Sequence, residues 1–344
     1  MYLSAVFKAL CNNSVTLTAV VFSLVMYSGV TQAWSERVHA KIAIEAAQYS
    51  DHHTRAHTKS STRSRLDAAG KLLAKNTPRL YKKWLKQSAN RLSERDRAIA
   101  WLGVWPDKMK SQSLTALLKK NSQLKKQGQL DELPDFLKTQ KTGTWHYDNL
   151  FFYNNGPAHS CSQRNKGQLF NVLSQLDQQL QKPVQSEVLN AMYISFYIHF
   201  YSDAHQPLHI VSRVNKDCWH DKGGNDVCLI KRKKSTRCKV NLHQYWDRAA
   251  YQNVDTLGAG LVESLPSFYT PDKPEFKAKL FNEATQVYPY MYPVIKPNAS
   301  SFNQALTSSY QQQAKKITAQ RISLTIVRLS HRLDALFYDN KKAP

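Results

Sequence analysis

The chain has 344 residues and a formal net charge of +23 at pH 7, from 48 lysines and arginines against 25 aspartates and glutamates. This length allows one large domain or two modest ones and excludes a larger assembly of domains, and we expect one large core. The excess of positive charge favours polyanions as partners, with nucleic acid the leading candidate. A basic surface that serves only solubility, or adhesion to anionic envelopes, is the alternative.

The first residues have the pattern of a secretory signal peptide. Lys8 precedes an apolar stretch at residues 15–27, and small residues stand directly before Trp34, as at a cleavage site. The stretch is shorter than the roughly 18–20 residues of a membrane-spanning helix, which argues against a membrane anchor. We therefore expect residues 1–33 to be removed and residues 34–344 to form one exported domain, secreted or periplasmic, with no transmembrane anchor.

Helical periodicity dominates the mature chain and strand signals are few, so we predict a mainly α fold. The pattern predicts helices at residues 37–48, 170–181, 185–203, 241–251 and 313–337. Pro207 is expected to end the helix at 185–203 and to begin a loop, because proline lacks a backbone N–H. The helix at 313–337 is expected to belong to the core.

Two basic stretches, at about residues 50–86 and 108–141, are predicted to be insertions outside the core. The first holds His52, His53 and His57. A solvated loop explains these histidines better than metal binding, because no carboxylate pattern accompanies them. The second carries lysine pairs on a weak helical pattern and is either a solvated flap or an arm that contacts nucleic acid. The basic run at 231–234 is either a third such contact or the tip of a charged hairpin.

Four of the five cysteines remain after removal of the signal peptide, and an even number in an exported protein indicates two disulfides. They are Cys161, Cys218, Cys228 and Cys238. The last three surround one loop, so at least one bridge is expected there, but all three pairings stay open. The ten-residue spacings lack the close cysteine pair of a zinc knuckle.

A histidine with an aspartate four residues later occurs twice, as His199 with Asp203 and as His243 with Asp247. Residues four apart share one face of a helix, so each pair is ready to bind a metal ion. Buried histidine and aspartate side chains are costly when unpaired. Metal ligation removes that cost, and a hydrogen-bonded core pair is the alternative. Further candidate ligands are Trp34, His39, Asp107, His146 and His209. We expect His205 and His220 to lie behind the ligands or at the surface.

These motifs resemble the secreted zinc-dependent single-strand nucleases and 3′-nucleotidases, which share a fold with zinc phospholipases C. The elements that carry the resemblance are Trp34 with His39, Trp105-Pro106-Asp107, Trp145-His146-Tyr147, the segment from His199 to His209, Gly223-Gly224-Asn225, and the segment from Asn241 to Asp247. The resemblance covers most of the mature chain. It implies a single, mainly α domain whose cleft holds three Zn²⁺.

The resemblance also implies how the ligands are shared. One zinc would take Asp107, His146, His199 and Asp203, a second Trp34, His39 and the shared Asp203, and a third His209, His243 and Asp247. Nitrogen and carboxylate ligands suit zinc. Trp34 would bind through its α-amino nitrogen and carbonyl oxygen, so export and maturation of the site would be one event.

By resemblance, the substrates are single-stranded RNA, single-stranded DNA and nucleotides, and the products carry 5′-phosphates. Clustered divalent ions activate water and stabilise a phosphodiester transition state, so no side-chain nucleophile is needed. The family has a water-orienting aspartate three residues after a ligand histidine, where this chain has Asn149 with Asp148 beside it. Asn225 is either a substrate contact or part of a tight turn. We expect a monomer without a stable protein partner.

Two other functions compete with the nuclease. A phospholipase C is less favoured, because the related phospholipases end the ligand series with glutamate where this chain has Asp247. A non-catalytic exported polyanion-binding protein would hold zinc in closed four-ligand sites, whereas three protein ligands leave room for water and substrate. The two basic stretches make the segments around Asp107 longer than in typical family members, and we expect them to widen the cationic surface for long single strands.

Overall fold

Helices make up most of the described structure. They are α1 (Glu36–His53), α2 (Thr62–Asn76), α3 (Pro78–Ser88), α4 (Glu94–Met109), α5 (Leu114–Lys120), α6 (Ser122–Lys126), α7 (Leu169–Leu180), α8 (Glu187–His205), α9 (Pro207–Ile210), α10 (Leu242–Trp246), α11 (Pro274–Met291) and α12 (Ser308–Asp339). Short 3₁₀ helices lie at Asp135–Lys138, Gly143–His146 and His159–Arg164. The prediction of a mainly α fold is confirmed.

The computed structural model describes residues 34–53, 61–88, 91–126, 130, 133–139, 141–153, 156–231, 238–249, 270–292 and 306–339. All of them belong to one compact unit, Gln32–Pro344. The predicted signal peptide, the side chains of His52, His53 and His57, and residues 232–234 of the basic run lie outside the described parts. Within those parts, no helix is long and apolar enough to cross a membrane.

Five strands form two small sheets in the described residues. They are β1 (Leu150–Tyr153), β2 (Gly156–Pro157), β3 (Val211–Arg213), β4 (Cys228–Lys231) and β5 (Cys238–Asn241). The first sheet has the order β2-β1-β3, with β2 antiparallel and β3 parallel to β1. The second is the antiparallel hairpin of β4 and β5.

Serine side chains cap the N-termini of four helices. Ser61, Ser93, Ser113 and Ser186 each accept a hydrogen bond from a backbone N–H three residues later, at the start of α2, α4, α5 and α8. Such caps satisfy N–H groups that the helix itself leaves unpaired. A reciprocal capping box between Asn241 and Gln244 begins α10.

The helix α8 is the centre of the core. It packs against α4, α2, α7 and α12, and from Val188 to His205 all its residues except Asn190 are buried. A helix that is apolar on all sides belongs in the interior. Aromatic rings surround it, with the Phe196 ring 4.9 Å from Trp105 and 5.5 Å from Trp145, between centroids. The polar side chains His199 and Asp203 are therefore held in a tightly packed environment.

The predicted helices at 37–48, 170–181, 185–203 and 313–337 are confirmed as α1, α7, α8 and α12. The predicted helix at 241–251 is shorter, because α10 ends at Trp246 and Asp247 is its C-cap. The expectation of a loop after Pro207 is wrong. α8 ends at His205, and Pro207 is then the first residue of α9, where its missing N–H costs nothing. His209 consequently lies on a short helix.

The expectation that residues 50–86 lie outside the core is wrong for the described second half. There α2 packs against α4 and α8, and Leu66, Leu73 and Trp84 are buried. The lysines of this stretch lie on the exposed faces of α2 and α3. They make the stretch basic in composition although its inner faces are apolar. Whether the stretch is an insertion relative to the family stays a prediction.

Residues 108–141 are also anchored rather than a free flap, over the parts that the structure describes. Five leucines from α5, α6 and the segment around the 3₁₀ helix Asp135–Lys138 are buried in the core: Leu114, Leu118, Leu124, Leu133 and Leu137. The lysine pairs at the ends of α5 and α6 are exposed. Because these lysines face solvent, contact with nucleic acid stays a prediction.

Two disulfides are present, as predicted, and they pair Cys161 with Cys218 and Cys228 with Cys238. The first joins the 3₁₀ helix His159–Arg164 to the loop after β3. The second closes the β4–β5 hairpin, whose strands flank the basic run at 231–234. The sequence left this pairing open, and the structure selects it.

Candidate metal centre

All nine predicted metal ligands are buried and lie on elements that meet around α8. Trp34 precedes α1, His39 is on α1, Asp107 is in the last turn of α4, His146 ends a 3₁₀ helix, His199 and Asp203 are on α8, His209 is on α9, and His243 and Asp247 are on α10 and its C-cap. Residues far apart in sequence thus converge on one region.

The histidines and aspartates form three groups whose possible ligand atoms lie within 4.8 Å of one another. The groups are His39 with His199 and Asp203, Asp107 with His146 and His199, and His209 with His243 and Asp247. The third group contains all the residues predicted for the third zinc. The first two groups contain the remaining predicted side chains.

Asp203 lies between the first two groups and faces both. Its Oδ1 is 3.3 Å from His39 Nε2. Its Oδ2 is 2.9 Å from His146 Nδ1 and 3.2 Å from His199 Nε2. A carboxylate with one oxygen toward each group is suited to bridge two cations, which agrees with the shared role predicted for Asp203.

Four histidines use Nδ1 for a hydrogen bond to a fixed oxygen. The pairs are His39 with Ser202 Oγ at 2.7 Å, His199 with Gly103 O at 2.6 Å, His209 with His146 O at 2.5 Å, and His243 with Gly223 O at 2.7 Å. A carbonyl oxygen only accepts, so Nδ1 is the donor. Ser202 Oγ donates to His199 O and therefore accepts from His39. Such bonds fix the tautomer of metal-binding histidines.

The arrangement of His209 and His243 suits a cation between their rings. Their Nε2 atoms face each other at 3.1 Å. Because Nδ1 carries the proton in both rings, both facing atoms of the neutral rings are lone pairs. Zn–N bonds of about 2.0–2.1 Å in a tetrahedron separate two ligand atoms by about 3.3 Å. The observed spacing is close to that value and fits a zinc ion.

Two carboxylates and one imidazole of these groups also have buried atoms that a bound cation would satisfy. Asp107 Oδ2, Asp247 Oδ2 and His146 Nε2 are buried and have no hydrogen-bond partner among the described residues. Buried polar atoms normally have partners, and leaving them without one is costly. The other oxygen of Asp247 accepts from Gln206 Nε2 at 2.7 Å, which orients the carboxylate toward His243. The donor set therefore fits divalent metal ions.

Burial and neighbouring charges set the protonation of the groups. Burial, with His199 beside it, lowers the pKa of His39 to about 4, and burial with His209 nearby lowers that of His243 to about 3. Burial works against the charge of Asp203, but His199 and His209 hold its pKa well below the usual range. Burial raises the pKa of Asp247 well above its usual value. Asp247 thus most needs a cation, and His39 and His243 are neutral and ready to bind one.

Pro106 and Gly103 explain how α4 packs against α8 and α1. Proline cannot donate to the carbonyl four residues earlier, and that carbonyl, Leu102 O, instead accepts from Ser195 Oγ at 2.6 Å. The next carbonyl is Gly103 O, which His199 uses. A Cβ on Gly103 would stand 2.6 Å from His39 O, so only glycine lets α1 and α4 approach this closely.

The turn at Gly223 and Gly224 orients His243. Gly223 has φ of +60° and Gly224 of +80°, a region that favours glycine. A Cβ on Gly223 would lie 2.1 Å from Leu208 O. Asn225 Nδ2 donates to Lys222 O at 2.7 Å and closes the turn. The turn is therefore observed, and a substrate contact by Asn225 stays a prediction.

Asp148 and Asn149 lie directly behind the ligands. Asp148 N donates to His209 O at 2.9 Å, and the Asp148 side chain binds Asn165 and lies 3.3 Å from Lys277 Nζ. Asn149 Oδ1 accepts from Ser212 Oγ at 2.6 Å. These bonds support the segment that carries His209. The catalytic role predicted for both residues stays a prediction.

Trp34 is fully buried, and its Nε1 donates to Ser202 O at 2.9 Å. The following residue, Ser35, donates from its backbone N to Asp247 O at 3.3 Å. These bonds hold the backbone at residue 34 beside the segments that carry Asp203 and Asp247. This position is compatible with the predicted ligation by the Trp34 backbone.

Sequence reasoning missed Lys110, whose Nζ is 2.8 Å from Asp107 Oδ1 and whose side chain is only 8% exposed. The spacing of three residues from Asp107 after a helix end was the available signal. Sequence reasoning also missed Ser202 and Gln206, which orient ligands. His205 is buried rather than at the surface. Its Nδ1 donates to Tyr201 O, and its carbonyl accepts from Arg321 Nε. His220 is half-buried beside Phe151.

Imidazoles and carboxylates in three adjoining groups form candidate sites for divalent ions, of the kind that activate water against phosphate esters. A family model described as S1/P1 nuclease matches residues 67–338. This is more than half of the chain, so the chain belongs to the S1/P1 nuclease family, whose members are zinc-dependent nucleases. The match includes the candidate ligands from Asp107 to Asp247, whereas Trp34 and His39 precede it. No curated protein sequence matches the chain.

Proposed function

We propose that this nuclease is an exported zinc enzyme that hydrolyses single-stranded RNA and DNA to products with 5′-phosphates, and that it also removes 3′-phosphates from nucleotides. The observation that carries the proposal is the convergence of histidine Nε2 atoms, fixed by Nδ1 hydrogen bonds, on buried carboxylates. Family membership supports phosphodiester chemistry rather than a purely structural role for zinc.

The proposed ligands are those that the sequence motifs predict, and they would hold three Zn²⁺. When bound, zinc supplies positive charge that stabilises a phosphoryl transition state and lowers the pKa of water. The protein would contribute geometry. Asp203 would bridge two of the metal positions, and Gln206 would hold Asp247 in its orientation through the bond to Oδ1.

Lys110 is proposed to bind a non-bridging phosphate oxygen. Its Nζ lies beside Asp107 Oδ1 within the ligand cluster. A phosphodiester under attack gains negative charge on its equatorial oxygens, and a cation held nearby stabilises that charge more in the transition state than in the ground state. Asp148 and Asn149 are proposed to orient the attacking water, and Asn225 to contact the substrate beside the third group.

Export is proposed to complete the site. Removal of residues 1–33 would free the α-amino group of Trp34, whose residue is held beside the segments that carry Asp203 and Asp247 by the bonds of Trp34 and Ser35. The two disulfides fit an extracellular or periplasmic nuclease. A version with one extra residue before Trp34 would displace that amino group and is the matched control for this step.

The experiment uses protein that begins at Trp34, loaded with Zn²⁺, and a single-stranded oligonucleotide labelled at one end. Product lengths and end groups are followed with and without a chelator, beside the version with one extra N-terminal residue. We expect fragments with 5′-phosphates, loss of cleavage on chelation, and weaker activity of the extended version. A 3′-nucleotide as second substrate tests phosphate release.

Folded, zinc-loaded protein that leaves both substrates intact would contradict the nuclease proposal. Hydrolysis of phosphatidylcholine under the same conditions would then identify a phospholipase. Cleavage that yields 3′-phosphates would overturn the proposed polarity of the reaction. Full activity of the extended version would overturn the role of the Trp34 amino group.

A further inference from the structure

Trp219 is the exception among the seven tryptophans of the chain. It is 68% exposed, whereas each of the other six is at most 4% exposed. The buried six are Trp34, Trp84, Trp101, Trp105, Trp145 and Trp246. Single exposed apolar side chains are common on proteins and need no function by themselves. The surroundings of Trp219, however, hold this indole in a defined position.

The loop that presents Trp219 is closed and cross-linked. Val214 and His220 form an antiparallel bridge at its base. Asn215 organises its interior, because Asn215 Oδ1 accepts from Trp219 N at 2.9 Å and Asn215 N donates to Trp219 O at 3.0 Å. The residue before the tryptophan, Cys218, forms the disulfide with Cys161. The indole is therefore exposed on a backbone that the disulfide and the hydrogen bonds restrain.

A guanidinium accompanies the indole. The Cζ atom of Arg164 lies over the ring of Trp219, 5.2 Å from its centroid. Arg164 ends the 3₁₀ helix that also contains Cys161, so the disulfide connects the two side chains' segments. A cation over an indole is a favourable contact, and Trp219 is 68% exposed in its presence.

The segments on both sides of this loop carry residues of the candidate metal centre. The loop follows β3, which begins directly after the short helix that carries His209. Three residues beyond its closing residue His220 stands Gly223, whose carbonyl holds His243. Both ends of the loop therefore connect along the chain to residues of the third group or to the glycine that holds His243.

We propose that Trp219, with Arg164, is a stacking platform for one nucleobase of a single-stranded substrate that extends from the metal centre. The proposal rests on the proposed nuclease function. Aromatic side chains stack on bases of every kind, because each base has a π face, and arginine adds charge for the backbone. The ligand is one nucleotide of the bound strand, and the unpaired base of a single strand is free to stack.

The test compares Trp219→Ala with Trp219→Phe, which keeps a stacking ring, and with Tyr290→Ala, which removes an exposed aromatic ring from α11. Each zinc-loaded variant is assayed on a single-stranded oligonucleotide and on bis(4-nitrophenyl) phosphate, a phosphodiester without a nucleobase. We expect Trp219→Ala to raise KM for the oligonucleotide about tenfold, the effect of losing one stacked base. Trp219→Phe should recover most of it, and Tyr290→Ala and all rates on the base-free diester should stay unchanged.

Abasic oligonucleotides locate the stacked base. Moving one abasic position along the strand should reveal a position where the wild type loses about tenfold in kcat/KM and Trp219→Ala loses nothing further. Equal losses in both proteins at every position would overturn the proposal. So would an unchanged KM of Trp219→Ala, or equal losses on the oligonucleotide and the base-free diester.

A binding measurement separates this inference from the nuclease proposal. An oligonucleotide with hydrolysis-resistant phosphorothioate linkages is titrated into zinc-loaded protein while tryptophan fluorescence is followed. We expect quenching in the wild type and little in Trp219→Phe. If the wild type hydrolyses neither substrate, the proposed function fails and this titration still decides the platform. Equal quenching in both proteins would overturn the platform even if cleavage is efficient.

Discussion

The metal centre and the basic surface are built in opposite ways. In the metal centre, histidines and aspartates are buried, and hydrogen bonds to Nδ1 fix four of the histidine rings. The basic surface consists of exposed lysines and one arginine on α2, α3, α5 and α6, namely Lys75, Arg79, Lys82, Lys83, Lys86, Lys119, Lys120, Lys125 and Lys126. None of these nine forms an ion pair with another residue in the described ranges.

The two parts of the basic surface meet. Asn121 Nδ2, between α5 and α6, donates to Asn76 Oδ1 at the end of α2, at 2.9 Å. Residues 68–93 and 108–130 contain no aspartate or glutamate, so nothing acidic within them neutralises the field. The basic surface is also connected to α4, because Trp101 Nε1 donates to Thr77 Oγ1 at the end of α2, at 3.2 Å. Asp107 lies about 9 Å further along α4.

The comparison shows two uses of charge by one chain. Chemistry needs charges at fixed short distances, and burial with hydrogen bonds supplies that order. Attraction of a polyanion needs only unneutralised charge on one side, and solvated side chains suffice. Changes in the metal centre should therefore have large effects on all substrates, and changes in the basic surface small effects on long substrates.

The largest effect is expected from Asp203→Asn. Asp203 faces two groups with its two oxygens, and loss of its negative charge weakens both. Loss of residues that merely orient ligands costs about 10–100-fold, so loss of this ligand should cost more than about 100-fold in kcat/KM, together with zinc. Zinc content and rates on the oligonucleotide and the base-free diester are measured. The control is Asp217→Asn at an exposed aspartate. Full zinc content and activity of Asp203→Asn would contradict the bridging role.

The next effect is expected from Lys110→Gln, a change of a lysine inside the metal centre. If Lys110 binds the phosphate in the transition state, kcat should fall about 100-fold on every substrate. Zinc content should stay unchanged. Lys316→Gln on α12, at an exposed lysine, is the matched control. A loss confined to long substrates would assign Lys110 to general attraction and erase this difference between the two regions.

A third, smaller effect is expected from Ser202→Ala. Ser202 Oγ fixes Nδ1 of His39, and removing it frees the ring to rotate. Zinc affinity should fall about 10–100-fold, as for other residues that orient metal ligands. Competition with a chelator of known affinity measures the loss, and excess zinc should restore activity. Activity that excess zinc fails to restore would indicate a structural defect instead.

The smallest effect is expected from neutralising four lysines of the basic surface together, Lys82, Lys83, Lys119 and Lys120, to glutamine. Each phosphate contact on a single strand contributes about 0.7 to the salt slope of the affinity, so the slope should fall by up to about 3. KM for a long strand should rise several-fold at low salt, and rates on the base-free diester should not change.

A charge-matched control separates local docking from net charge. It replaces four exposed lysines elsewhere, Lys166, Lys182, Lys273 and Lys316. Equal changes in slope for both quadruple variants would show that only net charge matters and would remove the basic surface from the account.

The convergence of the candidate ligands was predictable because their chemistry leaves a local pattern. His199 with Asp203 and His243 with Asp247 have helical spacing. The structure groups His199 with Asp107 and His146, and it groups His243 and Asp247 with His209. The core role of α2 and α3 was hidden, because lysines on their outer faces dominate the composition, while the inner faces carry the buried Leu66, Leu73 and Trp84. A window of composition does not separate two faces of one helix.

Tertiary features left no local pattern. The disulfide pairing depends on which loops meet in space. The exposure of Trp219 is equally invisible, since tryptophan is usually buried and the other six are. The short helix after Pro207 was missed because a proline that ends one helix also suits the first position of the next.

Anomalous diffraction at the zinc edge, from crystals of protein that begins at Trp34, tests the central claim most directly. Three zinc peaks are predicted. One lies among His209, His243 and Asp247, and the other two lie one on each side of Asp203. Peaks elsewhere, or none in the three groups of fully zinc-treated protein, would contradict the account of the metal centre.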